Sequence, residues 1–309
     1  TARGFSYLPL AHVAARTAVE MASLAFGYRV YFADSLATFV DDLKRARPTI
    51  FFSVPRLWTK FHLGVNEKIS PPLQKFLFAL PLVGRRIKHK ILAGLGLDQV
   101  HLAFTGSAPL TDALVHWYRD LGLELLDVYG MTENSAISHT SLPDRLRIGT
   151  VGRPQAGVQA RIADSGEIEV RSPAQMLGYY KQPGISAQQM TPDGFFRTGD
   201  CGSIDTDGFL TITGRIKDIF KTLKGEYVAP GPIENELIAH PRFQAVCVVG
   251  AGLPMPFALL MLSVETRQAL ATAKLDRDAL VAECDALRER INAQAAAHER
   301  LQFLVVVKD

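Results

Sequence analysis

Apolar and polar positions alternate between two spacings through the first 130 or so residues. Residues 5–12 read as a strand, and residues 13–24 place apolar side chains at helical intervals until Gly27 interrupts them. A short strand is predicted at 28–32. Ser35 is placed to cap a helix through Ala46, whose polar face carries Asp41, Asp42, Lys44 and Arg45. Arg47-Pro48 ends that helix, and 49–54 is a mostly apolar strand. Residues 55–97 read as helical, 100–104 as a strand, 111–121 as a helix capped by Thr111, and 123–128 as a further strand. Strands alternating with helices predict α/β layers around a largely parallel sheet.

After Glu133 the texture changes. Short alternating segments at 158–163, 166–171 and 209–213 are separated by Gly, Pro and Asp turns, which predicts a small, mostly antiparallel subdomain. A second change falls near Gly214-Arg215. Beyond it come a hairpin to about Val228, a helix over 232–239, strands at 245–249 and 258–264, a long helix at 276–300 and a last strand at 303–307. The predicted class is therefore α/β. A large multi-layer domain at 1–214 (parallel sheet with helices, plus the antiparallel subdomain) is followed by a small α+β domain at 215–309.

Composition adds limits. The chain has 309 residues, of which 48% are hydrophobic and 21% charged, as in globular proteins. A net charge of +3 gives no electrostatic case for a nucleic-acid partner. Cys201, Cys247 and Cys284 lie far apart with no CxxC, which favours reduced, mostly buried thiols and a cytoplasmic protein. The most apolar stretch, 245–264, is cut by Gly250, Gly252, Pro254 and Pro256 and reads as two strands, not a membrane span. Residues 55–97 are basic, and Phe61, Leu73, Phe76, Leu77, Phe78 and Leu80 either line an apolar channel or, the commoner outcome, pack helices on the sheet. The apolar and basic run at 76–90 would suit marginal, peripheral contact with a membrane surface. The chain opens mid-pattern on Thr1, as a fragment of a longer protein would. Oligomeric state is not legible.

Three separated stretches carry complementary chemistry. In Asp127-Val-Tyr-Gly-Met-Thr-Glu133, the Tyr129 ring can stack on a base, Thr132 can donate to a phosphate oxygen, and Glu133 suits Mg²⁺. In Phe196-Arg-Thr-Gly-Asp200, an aspartate after a glycine turn can accept two hydrogen bonds from vicinal ribose hydroxyls. In Gly214-Arg-Ile-Lys-Asp-Ile-Phe-Lys221, the Arg215 fork suits ribose or phosphate oxygens, and Lys217 and Lys221 offer point charges toward a polyphosphate. Each stretch also has an ordinary reading, as a turn or a solvated basic hairpin. There is no GxxxxGK[ST], no GxGxxG after a strand and no GxSxG elbow, which disfavours hydrolase and dehydrogenase chemistry.

In order along the chain, LPLAH (8–12), TGSAPL (105–110), DVYGMTE (127–133), GTVGRP (149–154), FFRTGD (195–200) and GRIKDIFKTLKGEYVAPGPIE (214–234) resemble the adenylate-forming enzymes, in their long-chain acyl-CoA synthetase branch. The resemblance implies ATP-dependent activation of a fatty acid as acyl-AMP, with Mg²⁺, followed by transfer to coenzyme A. It implies that Ser107, Ala108 and Pro109 lie along the adenine with Tyr129 stacked on it, and that Gly106 and Gly130 border the acyl pocket. Thr132 and Glu133 would face phosphate and Mg²⁺, and Asp200 and Arg215 would hold the ribose. Lys217 would be the hinge, Lys221 a second phosphate contact, and His12 a neighbour of the acyl carboxylate. The family's Gly/Ser/Thr-rich phosphate loop belongs upstream of LPLAH, and its Gly-Lys tail belongs beyond the last strand. Gly231 stands where the branch commonly has a glutamate. The resemblance thus implies little activity for this chain alone. It leaves open aryl or medium-chain acids, carrier-protein loading, and a non-catalytic adenylate-binding module.

Overall fold

A computed structural model describes residues 2–81, 83–108 and 110–307. The chain begins with β1 (Arg3–Ser6) and a continuous helical run made of α1 (Val13–Ala15), a π-helical stretch (Arg16–Met21) and α2 (Ala22–Phe26). Gly27, at φ 65°, closes α2 in the left-handed conformation that costs glycine little. Next come β2 (Arg29–Phe32), α3 (Phe39–Ala46), β3 (Ile50–Ser53), α4 (Pro55–Lys68), α5 (Pro71–Ala79), α6 (Val83–Leu95), β4 (Leu102–Thr105), α7 (Asp112–Leu121) and β5 (Leu125–Tyr129). The predicted alternation is present, with one correction at its start. Thr38, not Ser35, occupies the N-cap of α3, and the Ser35 hydroxyl accepts from the Thr38 amide at 3.2 Å. A tight local turn has displaced the cap by three residues.

Strands β3, β4 and β5 pair in parallel, and β6 (His139–Thr140) and β7 (Arg153–Pro154) extend the sheet antiparallel. In register, Phe51, Ala103 and Leu125 share one face of the sheet and enter a core with Leu43, Trp58 and Tyr118. Phe61 and Phe78 pack with that core, so these two residues hold helices on the sheet. Leu73 and Phe76 are exposed.

The strands β8 (Gln159–Ile162), β9 (Glu167–Arg171), β10 (Phe196–Ile204) and β11 (Leu210–Arg215) neighbour one another in chain order, and α8 (Pro183–Gln188) interrupts the series. The nine-residue β10 corrects the expected glycine turn before Asp200. Gly199 takes φ 73° inside the strand, and ladder bonding continues past it, with its carbonyl accepting from Ile216. Asp205 does form the expected turn, with Oδ1 accepting from the amides of Asp207 and Phe209.

After a short hairpin of β12 (Phe220–Lys221) and β13 (Tyr227–Val228) come α9 (Pro230–Ile238), β14 (Phe243–Val249), β15 (Phe257–Leu262), α10 (Val264–Ala271), α11 (Arg277–Gln294) and β16 (Leu304–Val307). The order β14-β15-β16 is antiparallel then parallel, and α9 and α11 supply Leu237, Leu280 and Leu287 to its core. Helix α10 falls where no element was expected. The long helix begins one residue after its Asp276 cap and ends at Gln294, short of the predicted Arg300. The chain divides into two compact units, Thr1–Arg161 with Glu169–Arg197 and Ile204–Thr211, and Ile162–Ile168 with Thr198–Ser203 and Ile212–Asp309. Cys201 and Cys284 are buried, Cys247 is exposed, and all three are free.

Candidate functional site

In the first unit, parallel pairing brings the ends of β4 and β5 side by side, with Thr105 opposite Asp127. The two loops that follow carry Ser107, Ala108, Pro109, Thr132 and Glu133 of the predicted nucleotide residues, and Tyr129 ends β5. Ser107 holds φ 77°, an uncommon conformation for serine, and is exposed together with Ala108. Pro109 lies outside the described residues. Gly106 and Gly130 are required by the protein's own packing. A Cβ at Gly106 would meet Val128 at 2.8 Å, and one at Gly130 would lie 2.4 Å from the backbone of Ala136.

Tyr129 is buried to 8% exposure, its ring centre 5.9 Å from that of His139. Thr132 opens a 3₁₀ turn (Thr132–Asn134) and is exposed. Glu133 is held twice. Its Oε1 accepts from the Tyr179 hydroxyl at 2.8 Å, and its carbonyl accepts from the Met176 amide at 2.7 Å. Burial, and then the Glu133 carboxylate, raise the Tyr179 hydroxyl above its ordinary value, so it stays a donor. His12 caps α1, with Nδ1 accepting from the Ala14 amide at 3.2 Å. The helical run it starts is tied to the glutamate loop by Thr17, whose hydroxyl donates to Ser135 at 2.7 Å.

Asp127, His139 and Tyr179 were not among the predicted site residues. Burial, reinforced by the charge of Asp112, raises the Asp127 carboxyl to about 7. Asp127 can therefore either donate or accept near neutrality. His139 is fully buried, its Nδ1 sits 2.9 Å from the Ser138 hydroxyl, and burial lowers it to about 4. No local signal marks Tyr179, because its partner is 46 residues away.

In the second unit, β10 and β11 present Asp200 and Arg215. Asp200 is buried, and Arg215 Nε lies 3.0 Å from its Oδ1. The guanidinium thus pairs with the carboxylate, while the Arg215 side chain itself is exposed. Lys217 is exposed in the turn after β11, where the Asp218 and Ile219 amides both donate to the Arg215 carbonyl. Lys221 is exposed on β12, its ammonium 5.3 Å from the centre of the Tyr227 ring. Gly225, at φ 87°, makes the turn of this hairpin.

A single partly exposed carboxylate with hard oxygen donors fits Mg²⁺, which takes one or two carboxylates and completes its shell from water and phosphates. Glu133, half-buried with one carboxylate oxygen on the Tyr179 hydroxyl, is a carboxylate of that kind, and among the described residues no cluster of three or more His, Cys, Asp or Glu is found.

The profile of the AMP-binding enzyme family matches residues 1–180, and that of the AMP-binding enzyme C-terminal domain matches residues 217–309. The chain belongs to the AMP-binding enzyme family. Among relatives of this AMP-binding chain, long-chain-fatty-acid–CoA ligase FadD15 of Mycobacterium bovis is 36% identical over 284 residues, which cover 84% of this chain and 47% of that protein. Long-chain-fatty-acid–CoA ligase ACSBG2 of Gallus gallus is 33% identical over 267 residues, 74% of this chain and 34% of that one. The chain spans about half or less of the length of these relatives. Among solved structures, the A-PCP didomain of a carboxylic acid reductase from Segniliparus rugosus in complex with AMP has a TM-score of 0.76 at 25% identity, covering 99% of this chain and 43% of that one. An ATP-bound RpMatB-BxBclM chimera has a TM-score of 0.72 at 26% identity, covering 100% and 57%.

Proposed function

We propose that this chain is the nucleotide- and acyl-handling part of a long-chain fatty-acid–CoA ligase. Such an enzyme joins a fatty acid to ATP as acyl-AMP, with loss of pyrophosphate, and passes the acyl group to coenzyme A. The observation that carries the reading is the match of both family profiles, in order, with identity to long-chain ligases across most of the chain.

In this reading each unit has a separate task. In the first, Tyr129 and the loop from Ser107 through Pro109 receive the adenine, Gly106 and Gly130 border the acyl pocket, and Thr132 hydrogen-bonds phosphate oxygen. Glu133, aimed by Tyr179, would hold Mg²⁺, which offsets phosphate charge when bound. His12 borders the acyl carboxylate. In the second, Asp200 accepts from the ribose hydroxyls while Arg215 holds it in place. Lys217 is the hinge between 1–214 and 215–309, and Lys217 and Lys221 supply positive charge toward phosphates. Catalysis is then positioning and charge neutralisation as two anions are brought together. The setting is cytoplasmic, and the chain by itself turns over poorly.

The test compares this chain with the same chain joined to the parts of a long-chain relative that lie outside the matched region. Pyrophosphate exchange and thioester formation are assayed over a panel of acids, with CoA and with a phosphopantetheine carrier. Long-chain thioester formation by the joined protein and near-background turnover by the chain alone are expected. Preference for aryl acids, or for the carrier, would replace the substrate assignment. AMP binding without exchange in the joined protein would make the chain a binding module. Calorimetry with AMP on the chain and its Asp200→Ala variant isolates the ribose contact, and equal heats would remove that role.

A further inference from the structure

The turn that carries Thr132 and Glu133 runs into two strained residues. Ser135 and Ala136 both hold φ 57°, in the left-handed region that residues with a Cβ seldom adopt, and such residues persist only where their surroundings over-determine them. Some of the support is local. The Ala136 amide donates to the Met131 carbonyl at 2.8 Å, and Asn134 Oδ1 accepts from the Met131 amide at 2.9 Å. At the Ser135–Ala136 corner two further bonds reach outside the turn. The Ser135 hydroxyl donates to the Ala174 carbonyl at 3.3 Å, and the Thr17 hydroxyl donates to the Ser135 carbonyl at 2.7 Å from 118 residues away. Thr17 makes the shorter of the two.

Thr17 itself sits in an irregular helix. Residues Arg16–Met21 are π-helical, and the Ala22 amide donates to the Thr17 carbonyl five residues back. Such wide turns are rare and recur at functional sites. Here one is buttressed by Tyr28, whose buried hydroxyl donates to the Ala18 carbonyl and lies 3.2 Å from that of Val19. The Tyr28 ring fills the space beside Gly4, where a Cβ would lie 2.6 Å from it. Support therefore runs from Gly4 through Tyr28 and the π stretch to Thr17, and from Thr17 to the turn. We propose that Thr17 is a positioning residue for phosphate and Mg²⁺. Its hydroxyl holds the Ser135–Ala136 corner in the left-handed conformation and so sets where Thr132 and Glu133 present their oxygens. Tyr179 fixes the Glu133 carboxylate, and Thr17 fixes the backbone that carries it. The consequence for nucleotide rests on the ligase reading, whereas the hold on the turn does not.

Thr17→Val removes the hydroxyl at nearly constant volume, and Thr17→Ser keeps it. Hydrogen–deuterium exchange of the whole chain tests the hold, with the amides of 130–137 read against those of β3 and β4. Thr17→Val should speed exchange in the turn about fivefold, as loss of one hydrogen bond would, and leave β3 and β4 unchanged. Thr17→Ser should match the parent. Calorimetry with ATP, in Mg²⁺ and in EDTA, tests the consequence. A general loss of structure would weaken both affinities together and preserve their ratio. Displacement of Glu133 acts on the Mg²⁺ affinity alone, so the ratio should fall about fivefold in Thr17→Val and recover in Thr17→Ser, with Glu133→Gln as the reference. Unchanged exchange in the turn, or exchange speeded throughout the chain, overturns the proposal. So does an unchanged ratio in Thr17→Val where Glu133→Gln abolishes the Mg²⁺ effect. A ratio that Glu133→Gln itself leaves unchanged, or no heat with ATP at all, counts against the ligase reading, and the exchange rates then decide by themselves whether Thr17 holds the turn.

Discussion

Replacing Asp127 with asparagine should stabilise the first unit at alkaline pH and leave it unchanged in acid. Asp127 sits on β5 opposite Thr105, and burial with the charge of Asp112 lifts its carboxyl from 3.8 to about 7. The folded state therefore binds this proton more tightly than the unfolded chain does. The stability this confers is fully present below pH 3.8 and is lost as pH rises through about 7. At 1.36 kcal/mol per pH unit the full shift corresponds to about 4 kcal/mol, and the group's partial exposure discounts this to about 2. Asparagine has no proton to lose. The variant's advantage should thus be near zero at the acid end and about 2 kcal/mol above neutrality. His139 runs the other way. Burial lowers it from 6.5 to about 4, so its contribution is present above 6.5 and lost as pH falls toward 4. In the parent the two slopes oppose each other between these values, giving a flat profile. Asp127→Asn should expose the histidine slope, with stability rising toward neutral pH. Urea denaturation followed by tryptophan fluorescence reads the first unit alone, because both tryptophans, Trp58 and Trp117, lie in it. A parent–variant difference that does not change with pH, or a variant less stable than the parent at pH 8, would refute the assignment of a buried, proton-retaining carboxyl.

Gly130→Ala should destabilise the first unit by about 1–3 kcal/mol in the same denaturation assay, because the new Cβ would lie 2.4 Å from the Ala136 backbone. Gly231→Glu should raise stability by about 0.5–1 kcal/mol in a thermal melt of the second unit. The nearest atom to an added Cβ is 3.9 Å away, and the acid would lie in the first turn of α9. Tyr179→Phe should cost about 1 kcal/mol, the net worth of the hydrogen bond it donates to Glu133. An unchanged melting profile for that variant would show that the Tyr179 hydroxyl does not hold the carboxylate.

What the residues settled by themselves is the order and kind of most elements. The alternation from β3 through β5 follows from periods of two and 3.6 set by near neighbours, Gly27 acts through its own backbone, and Asp205 through a side chain bonded two and four residues on. The resemblance of six short stretches likewise lay in plain view. Local pattern misled where a distant partner decided the outcome. Phe196-Arg-Thr-Gly-Asp200 has the composition of a turn, yet it runs through β10, its glycine bonded to Ile216. Ser35 had the right type for a cap but not the position that its bond to Thr38 imposed. The protonation of Asp127 and His139, the hold of Tyr179 on Glu133 and the pairing of Arg215 with Asp200 all depended on the tertiary structure. The reason is physical. Secondary structure answers to neighbours along the chain, whereas desolvation and charge pairing answer to whatever the fold brings alongside, and that distance is not written in the order of residues.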